Sequence, residues 1–216
     1  MTPKKSVKKR PYYSRVRTEQ AEQTRARILD AAAELFLSDG YARTTIRMIA
    51  EKSGVAPDTV YATFGTKSRV LTALIDSRLV PDSSVESVRE RPDVQAIRAE
   101  RDQRRQIEMF AEFITGISTE LRPVFEILRT ASAVDPDMGD VFKEMDGYRL
   151  QNMYVYAEWI AERGPLRVDV KRAGEIMWVF ASPDVGRMMC DELGWSQTQH
   201  ADWLADALTR TLLPEK

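Results

Sequence analysis

The sequence predicts an all-α protein made of a small N-terminal helical domain and a larger C-terminal helical bundle. From residue 24 onward, apolar residues recur every three or four positions, which is the spacing of a helix with one buried face. No segment of any length alternates apolar and polar residues as a half-buried strand does. A polar, charged stretch at residues 81–92 contains two prolines and separates the two groups of helices as a linker.

Residues that commonly begin and end helices divide the N-terminal domain, which we place at residues 21–79. Residues 1–20 are polar and basic without a helical apolar period, and they predict a flexible arm. Gly40 and Gly54 follow apolar segments and are suited to end helices in the left-handed conformation. Four helices are expected, and they begin near Thr24, Thr45, Pro57 and Lys67.

The same signals divide the C-terminal bundle, which we place at residues 80–216. Asp135-Pro136 combines an N-cap with a first-turn proline, and Ser196 to Gln199 has the spacing of a capping box. Pro183 lacks a backbone donor, so it either kinks a helix or begins a new one. The expected helical segments cover about 102–119, 121–133, 136–162, 169–194 with the kink or break at Pro183, and 196–212.

Charge is distributed unequally along a chain whose net charge is only −1. Residues 1–78 contain fifteen Lys and Arg against eight Asp and Glu and carry a net charge of +7, which leaves −8 for the remainder. A basic N-terminal part favours a polyanionic partner, and the alternative is a solvated basic tail without a partner.

Composition argues against several classes of protein. A single cysteine, Cys190, cannot form an intrachain disulfide, and together with one histidine it leaves little for a metal site. We therefore expect no cofactor, no metal and a reducing, cytoplasmic setting. No apolar run approaches the ~18 residues needed to span a bilayer, and the basic N-terminus has no apolar stretch behind it as a signal peptide would.

Catalysis has little support in the sequence, and we expect no catalytic residue. Cys190 and His200 are the only nucleophile–base candidates, and no glycine-rich phosphate loop or metal-ligand spacing accompanies them. We interpret Cys190 as a small buried hydrophobic residue and His200 as a surface residue of a helix.

The segment from Thr44 to Lys67 has the spacing of two short helices joined by a tight turn. Gly54 supplies the turn, because a positive φ is readily adopted only by glycine. Val60 and Phe64 are then expected to pack against the preceding helix. Small residues remain on the outer face, where a short second helix can enter a major groove: Asp58, Thr59, Ala62 and Thr63.

Particular residue types at fixed spacing carry a resemblance to a known family. They are Thr44-Thr45, Ile49-Ala50, Gly54-Val55, Thr59-Val60-Tyr61, Phe64 and Lys67. This pattern resembles the helix-turn-helix DNA-binding domain of the TetR family of bacterial transcription regulators over about residues 24–79. The segments Ala181 to Val185 and Asp191 to Ser196 resemble the end of the family's effector domain more weakly.

The resemblance implies a three-helix helix-turn-helix domain that binds double-stranded DNA, followed by a helical-bundle domain for effector binding and dimerisation. Thr45, Tyr61 and Lys67 would contact phosphates, and Thr59 and Thr63 would face the groove. The full set of expected DNA-binding residues is Arg43, Thr44, Thr45, Arg47, Asp58, Thr59, Tyr61, Thr63 and Lys67.

Three positions depart from the family pattern and reduce the expected contact with base edges. Asp58 is repelled by phosphate unless it accepts a hydrogen bond from cytosine or caps its helix. Ala62 and Thr63 are smaller or less basic than residues common in the family. A larger share of affinity would then fall to phosphate contacts, to Arg43 and Arg47, and to the arm, which either binds the DNA backbone or is idle.

Dimerisation is expected because one helix-turn-helix unit contacts too little DNA for high specificity, whereas two related by a two-fold axis recognise a palindromic operator. The last two helices are the expected interface, the family's usual one, and the alternative is that these residues are buried within the monomer. The residues are Trp178, Val179, Val185, Met188, Met189 and Leu193 on one helix and Trp203, Leu204, Ala207, Leu208 and Leu212 on the other.

A small-molecule effector is expected between the middle helices, as the resemblance implies, with repression as the commonest mode of action. We expect the effector to be apolar or aromatic. Its predicted contacts are Phe110, Phe113, Ile117, Met153, Tyr156, Met177 and Phe180, with Arg149, Asn152 and Glu158 as polar candidates. Large apolar residues at helical spacing also form ordinary cores. The alternative is a helix-turn-helix regulator that senses no ligand and is constitutive or controlled by a protein partner.

Overall fold

The computed structural model describes residues 12–78 and 90–215. The chain divides into two compact units, Met1–Leu74 and Ile75–Lys216. Within the described residues the regular structure is entirely helical, which confirms the all-α fold. No helix among them is long and apolar enough to cross a membrane. The predicted domain boundary and most of the predicted linker lie outside the described residues.

Unit 1 is formed by α1 (Tyr12–Ser38), α2 (Ile46–Ser53), α3 (Pro57–Phe64) and the first part of α4 (Lys67–Arg78). Its core contains side chains with no exposed surface from each helix, namely Ile28, Ala32, Ile49, Ala50, Val60, Val70 and Leu71. The helices α2 and α3 are only eight residues long, so their stability depends on this packing.

Helix α1 begins at Tyr12, twelve residues before the predicted start. The prediction of a flexible arm is therefore wrong for residues 12–20, whereas residues 1–11, with Lys4, Lys5, Lys8, Lys9 and Arg10, lie outside the described residues. Residues 12–38 contain no proline or glycine, and adding turns to a helix that is already packed costs little. Because residues 17–22 are exposed, these turns lack the apolar period on which the prediction depended.

The predicted boundaries of the short helices are confirmed. The hydroxyl of Thr45 accepts a hydrogen bond from the backbone N–H of Met48 at 3.2 Å and caps α2. Gly54 ends that helix with φ of +68°, and Gly40 follows α1 with φ of +81°. Both glycines thus occupy the left-handed region that a side chain would disfavour.

Unit 2 contains a larger bundle and one helix that the sequence analysis missed. Its elements are α5 (Pro92–Ala99), α6 (Gln103–Ser132), α7 (Pro136–Ala161), α8 (Val170–Phe180), α9 (Pro183–Arg187), a π-helical turn (Met188–Glu192) and α10 (Gln197–Leu212). The missed helix is α5, whose Val94 and Ile97 are buried. The predicted caps at Asp135 and Ser196 are confirmed, and Asp169 caps α8 by accepting a hydrogen bond from the N–H of Arg172.

Two prolines have different effects in this unit. The helix α6 is continuous through Pro123, so the predicted break near residue 120 is wrong. Packing of α6 against both α7 and α10 compensates for the one backbone hydrogen bond that the proline removes. Pro183, by contrast, begins a new helix, and Ser182 caps it by accepting from the N–H of Asp184 at 3.1 Å.

The core of unit 2 lies where α6, α7, α8 and α10 meet. Phe110, Tyr156 and Trp159 form a chain of aromatic contacts, with centroid distances of 4.8 Å and 5.2 Å. Leu204, Leu208 and Leu212 of α10 are completely buried in the same core.

His200 is buried and not a surface residue, so that interpretation is corrected. Only 2% of the residue is exposed, and its ring stacks on Trp203. The imidazole also lies beside Gly186, where a Cβ would be 3.4 Å from it, at van der Waals contact. Burial lowers the pKa of His200 by disfavouring the charged imidazolium. Cys190 is half-buried.

Replacing Gly174 by alanine tests the close contact between α7 and α8. A Cβ at this position would lie 3.1 Å from the Cα of Tyr154 and closer still to its ring. We expect Gly174→Ala to lower the free energy of unfolding by about 1–3 kcal/mol, measured by urea denaturation. Gly147→Ala is the matched control, because Gly147 lies on the same α7 in open space. It should raise stability by about 0.5–1 kcal/mol; equal effects at both positions would contradict the packing described.

Candidate functional site

The outer face of α3 in unit 1 is the first candidate site. Val60 and Phe64 face the core with 0% and 6% of their surface exposed. The opposite face exposes Asp58, Tyr61 and Thr63, and Tyr61 is 54% exposed despite its large ring. An exposed tyrosine with the exposed Asp58 one turn before it on the same helix is available for contact with a partner.

Hydrogen bonds within α3 limit what this face offers. The hydroxyl of Thr63 donates to the carbonyl of Thr59 at 2.7 Å, so its proton is used within the helix. Its methyl group and the remaining lone pair are the groups left for a partner. Thr59 itself is half-buried.

Three of the predicted residues surround the start of α2. Thr45, Arg43 and Arg47 are all exposed. Arg43 uses its Nε to donate to the carbonyl of Asp39 at 2.7 Å, which fixes the side chain near the end of α1. The N-terminus of α2 thus has an exposed hydroxyl and two guanidinium groups close by in sequence, and such a terminus favours anions.

Two predicted DNA contacts are instead internal to unit 1. Thr44 is 1% exposed, and its hydroxyl donates to the carbonyl of Gly40 at 2.9 Å. The ammonium of Lys67 donates to the carbonyl of Tyr41 at 2.8 Å and lies 4.1 Å from the centre of that ring. The burial of Thr44 corrects its predicted role, and the half-buried Lys67 also fastens the loop between α1 and α2.

A groove between α1 and α3 adds residues that the sequence analysis missed. It is about 460 Å³ in volume and places Thr59 and Thr63 opposite a polar flank of α1. That flank consists of Thr18, Gln20, Ala21, Glu22, Thr24 and Arg25. Arg25 lies 4.8 Å from the centre of the Phe64 ring. The flank residues before Thr24 were missed because α1 was expected to begin only there.

The second candidate site is an apolar cavity of about 160 Å³ in unit 2, which we call the inner cavity. A volume of about 150 Å³ is enough for a single aromatic ring. Four predicted ligand contacts line it, namely Phe113, Ile117, Met153 and Tyr156. Its other lining residues are Ile114, Ser118, Phe125, Met145, Tyr148, Arg149, Asn152, Ala181 and Pro183.

Three predicted ligand contacts lie elsewhere. Phe110 and Met177 are completely buried in the core and are not among the residues that line the inner cavity. Phe180 packs beside Trp203 with 6.0 Å between the ring centres. Of the predicted polar groups, Arg149 and Asn152 line the inner cavity, whereas Glu158 is exposed and does not. Sequence spacing identified α6 and α7 as helices of the cavity, whereas no residue of α8 lines it.

A second cavity of about 190 Å³, which we call the arginine cavity, adjoins the inner cavity. The two share Phe125, Met145, Arg149 and Pro183. Four arginines and three carboxylates line the arginine cavity, over aromatic surface from Phe125, Phe142 and Trp178. The arginines are Arg122, Arg129, Arg149 and Arg187, and the carboxylates are Glu126, Asp146 and Asp184.

The expected dimer interface is only partly exposed. Val179, Met188 and Leu193 are 49%, 42% and 65% exposed, which is unusual for large apolar side chains. Leu204, Leu208 and Leu212 are buried within the chain, so their assignment to an interface is corrected. The remaining predicted residues, Trp178, Val185, Met189, Trp203 and Ala207, are half-buried.

Comparison with known proteins identifies the first site. Residues 28–74 match the family model described as bacterial regulatory proteins, tetR family. ArpR of Pseudomonas putida, a probable HTH-type transcriptional regulator, is 27% identical over 177 residues, which are 79% of this chain and 82% of that protein. The HTH-type transcriptional regulator SrpR of Pseudomonas putida is 45% identical, but over 62 residues that make up 29% of each chain.

Solved structures share the fold over nearly the whole chain. The structure of a SmeT–triclosan complex superposes with a TM-score of 0.66 at 23% identity and covers 89% of this chain and 93% of its own. NalD of Pseudomonas aeruginosa, the secondary repressor of the MexAB-OprM multidrug efflux pump, gives a TM-score of 0.68 at 20% identity and covers 92% and 100%. The family match identifies residues 28–74 as a helix-turn-helix domain of the tetR family type, and the solved structures share the fold of nearly the whole chain.

Proposed function

We propose that the chain is a homodimeric repressor that binds a palindromic operator and is released by a small apolar or aromatic effector. The observation that carries this proposal is the inner cavity, an apolar space of about 160 Å³ in a chain whose other unit exposes a helix-turn-helix face. A chain that regulated transcription without a ligand would have no need of such a space.

The similar proteins support the same reading. One neighbouring structure is a complex with triclosan, and another protein of this fold is a repressor of a multidrug efflux pump. A closed, dry core in unit 2 would favour a regulator that senses no ligand. The inner cavity argues against that alternative. A regulator of chromosomal genes would act in the bacterial cytoplasm, and its curated relatives are regulators and not enzymes.

The proposed DNA-binding face combines the N-terminus of α2 with the outer face of α3. Thr45, Arg43 and Arg47 would contact phosphates, and Tyr61 would reach phosphate through its phenol. Thr59, Thr63 and Asp58 would face the bases, where a methyl group and a carboxylate suit thymine and cytosine. The α1 flank of the adjoining groove would lie beside the same stretch of DNA.

Tyr61→Phe tests a contact with DNA, and Lys67→Met tests a contribution to the stability of unit 1. Once mapping of genomic fragments bound by the purified protein has given the operator, we expect Tyr61→Phe to weaken binding to operator and unrelated DNA alike by roughly two- to tenfold. Its urea unfolding should be unchanged, because 54% of Tyr61 is exposed. Fluorescence anisotropy with labelled duplexes measures the affinities.

Lys67→Met should instead lower the free energy of unfolding by about 1–2 kcal/mol, since it removes the hydrogen bond to the carbonyl of Tyr41 and the contact with its ring. A Tyr61→Phe variant that changed the preference among sequences would contradict a phosphate contact. A Lys67→Met variant as stable as the native chain would contradict the structural role.

The homodimer proposal rests on the exposed apolar residues near the end of unit 2. We expect Met188→Glu and Leu193→Glu, made together, to convert a dimer into a monomer, because each would place a charge in a desolvated interface. Light scattering at micromolar concentration measures the mass. Val134→Glu is the control, since Val134 is 61% exposed just after α6, is not among the expected interface residues and should leave the dimer intact. A native chain that is monomeric would disprove the proposal.

A further inference from the structure

Arg149 lies where the inner cavity and the arginine cavity meet. It is on α7 and lines both cavities, and its side chain is only 15% exposed. Among the residues common to the two cavities, Phe125, Met145 and Pro183 are apolar, so Arg149 supplies the charge at their junction. A molecule that filled both cavities would have to pass this guanidinium.

The guanidinium of Arg149 also closes the end of another helix. Its Nη1 donates to the carbonyl of Trp178 at 3.0 Å and approaches that of Ala181 at 3.5 Å. These carbonyls belong to the last turn of α8, where a helix leaves acceptors without partners. The N–H of Ser182 donates to Val179 instead of Trp178, and Pro183 has no N–H to give. Arg149 thus provides a cap that the backbone does not.

The remaining bonds of Arg149 leave it short of acceptors. Its Nε and Nη2 both donate to the same oxygen of Asp146, at 3.2 Å and 3.1 Å. Of its five N–H groups, one on Nη2 makes no hydrogen bond within the described residues. Burial lowers the pKa of Arg149 from its ordinary value, so the nearby carboxylate does not fully offset the loss of water around the cation.

Among the described residues, the other buried polar groups without partners in the walls of these cavities can all donate a hydrogen bond. Tyr156 Oη, Trp178 Nε1 and Arg187 Nε are buried without a hydrogen-bond partner within the described residues. Each of them can donate, and none is an acceptor only. The ring of Trp178 also lies 4.8 Å from the guanidinium carbon of Arg149. A surplus of donors around an apolar space favours a ligand whose polar group is an acceptor.

We infer that the effector is an aromatic molecule with an acidic oxygen, and that Arg149 binds this oxygen and thereby releases the end of α8. The ring would fill the inner cavity, and the oxygen would take the donors that Nη1 now gives to Trp178 and Ala181. This inference rests on the proposed function, because it assigns the ligand class of the same cavity. It also joins ligand binding to the junction between α8 and α9, which leads to the exposed Met188 and Leu193.

Two probes of nearly equal size, 4-chlorobenzoate and the neutral 4-chlorobenzyl alcohol, test the ligand class by calorimetry on the full chain. We expect the native chain to bind the carboxylate roughly ten- to a hundredfold more tightly. Arg149→Met should abolish this preference while it leaves binding of the alcohol within about threefold, which also shows that the cavity remains folded. Lys143→Met is the control, because it removes an exposed cation from the same α7 and should keep the preference.

Hydrogen exchange tests the release of α8. In the native chain, 4-chlorobenzoate should increase deuterium uptake in the peptide that spans residues 177–187, whereas the alcohol should not. Arg149→Met should show raised uptake there without any ligand.

Equal affinity for the two probes, or a preference retained in Arg149→Met, would overturn the inference and leave the proposed effector cavity in place. Unchanged exchange with the carboxylate bound would overturn the role of Arg149 in release. If the native chain bound neither probe, both the inference and the proposed apolar or aromatic effector would fail.

Discussion

The burial of Val60 and Phe64 is the constraint on which the DNA-binding face depends. A helix of eight residues is unstable alone in water, so α3 exists because these two side chains pack against α1 and α2. Their direction also determines what faces outward, since a rotation of α3 that buried Tyr61 would expose Val60. Thr44 and Lys67 support this arrangement from inside, where they fasten the loop between α1 and α2. Thr44 and Lys67, which the sequence predicted as DNA contacts, thus stabilise the domain that presents the exposed face of α3.

Unit 2 combines a well-packed core with an apolar cavity. Phe110, Tyr156 and Trp159 pack tightly, whereas the adjoining sides of α6 and α7 leave the inner cavity open. The break between α8 and α9 lies beside that cavity, and Ala181 and Pro183 form part of its wall. A ligand that entered the cavity would therefore lie next to the break between α8 and α9. There the side chain of Arg149, in place of a backbone N–H, donates to the carbonyl of Trp178.

Local chemistry in the sequence predicted the caps, the glycine turns and the α2–α3 pair, because Thr45, Gly54 and Ser196 act through neighbours in the chain. The start of α1 was not predictable from periodicity, since its first turns bury no apolar face. Pro123 was misread because packing from α7 and α10 outweighs a local rule. The cavity residues Phe113, Ile117, Met153 and Tyr156 were foreseen, but Phe110 and Met177 show that the facing side of a helix is decided by distant contacts. The positions of Thr44, Lys67 and Arg149 depend likewise on partners that sequence spacing does not reveal.

Thermodynamic linkage gives the most direct test that an occupied cavity controls DNA binding. Operator affinity is measured by anisotropy without ligand and at saturating ligand, and ligand affinity is measured by calorimetry with and without operator. We expect ligand to weaken operator binding by roughly 5- to 150-fold, and operator to weaken ligand binding by the same factor. Operator affinity that is unchanged when the ligand is bound would contradict a ligand-controlled repressor.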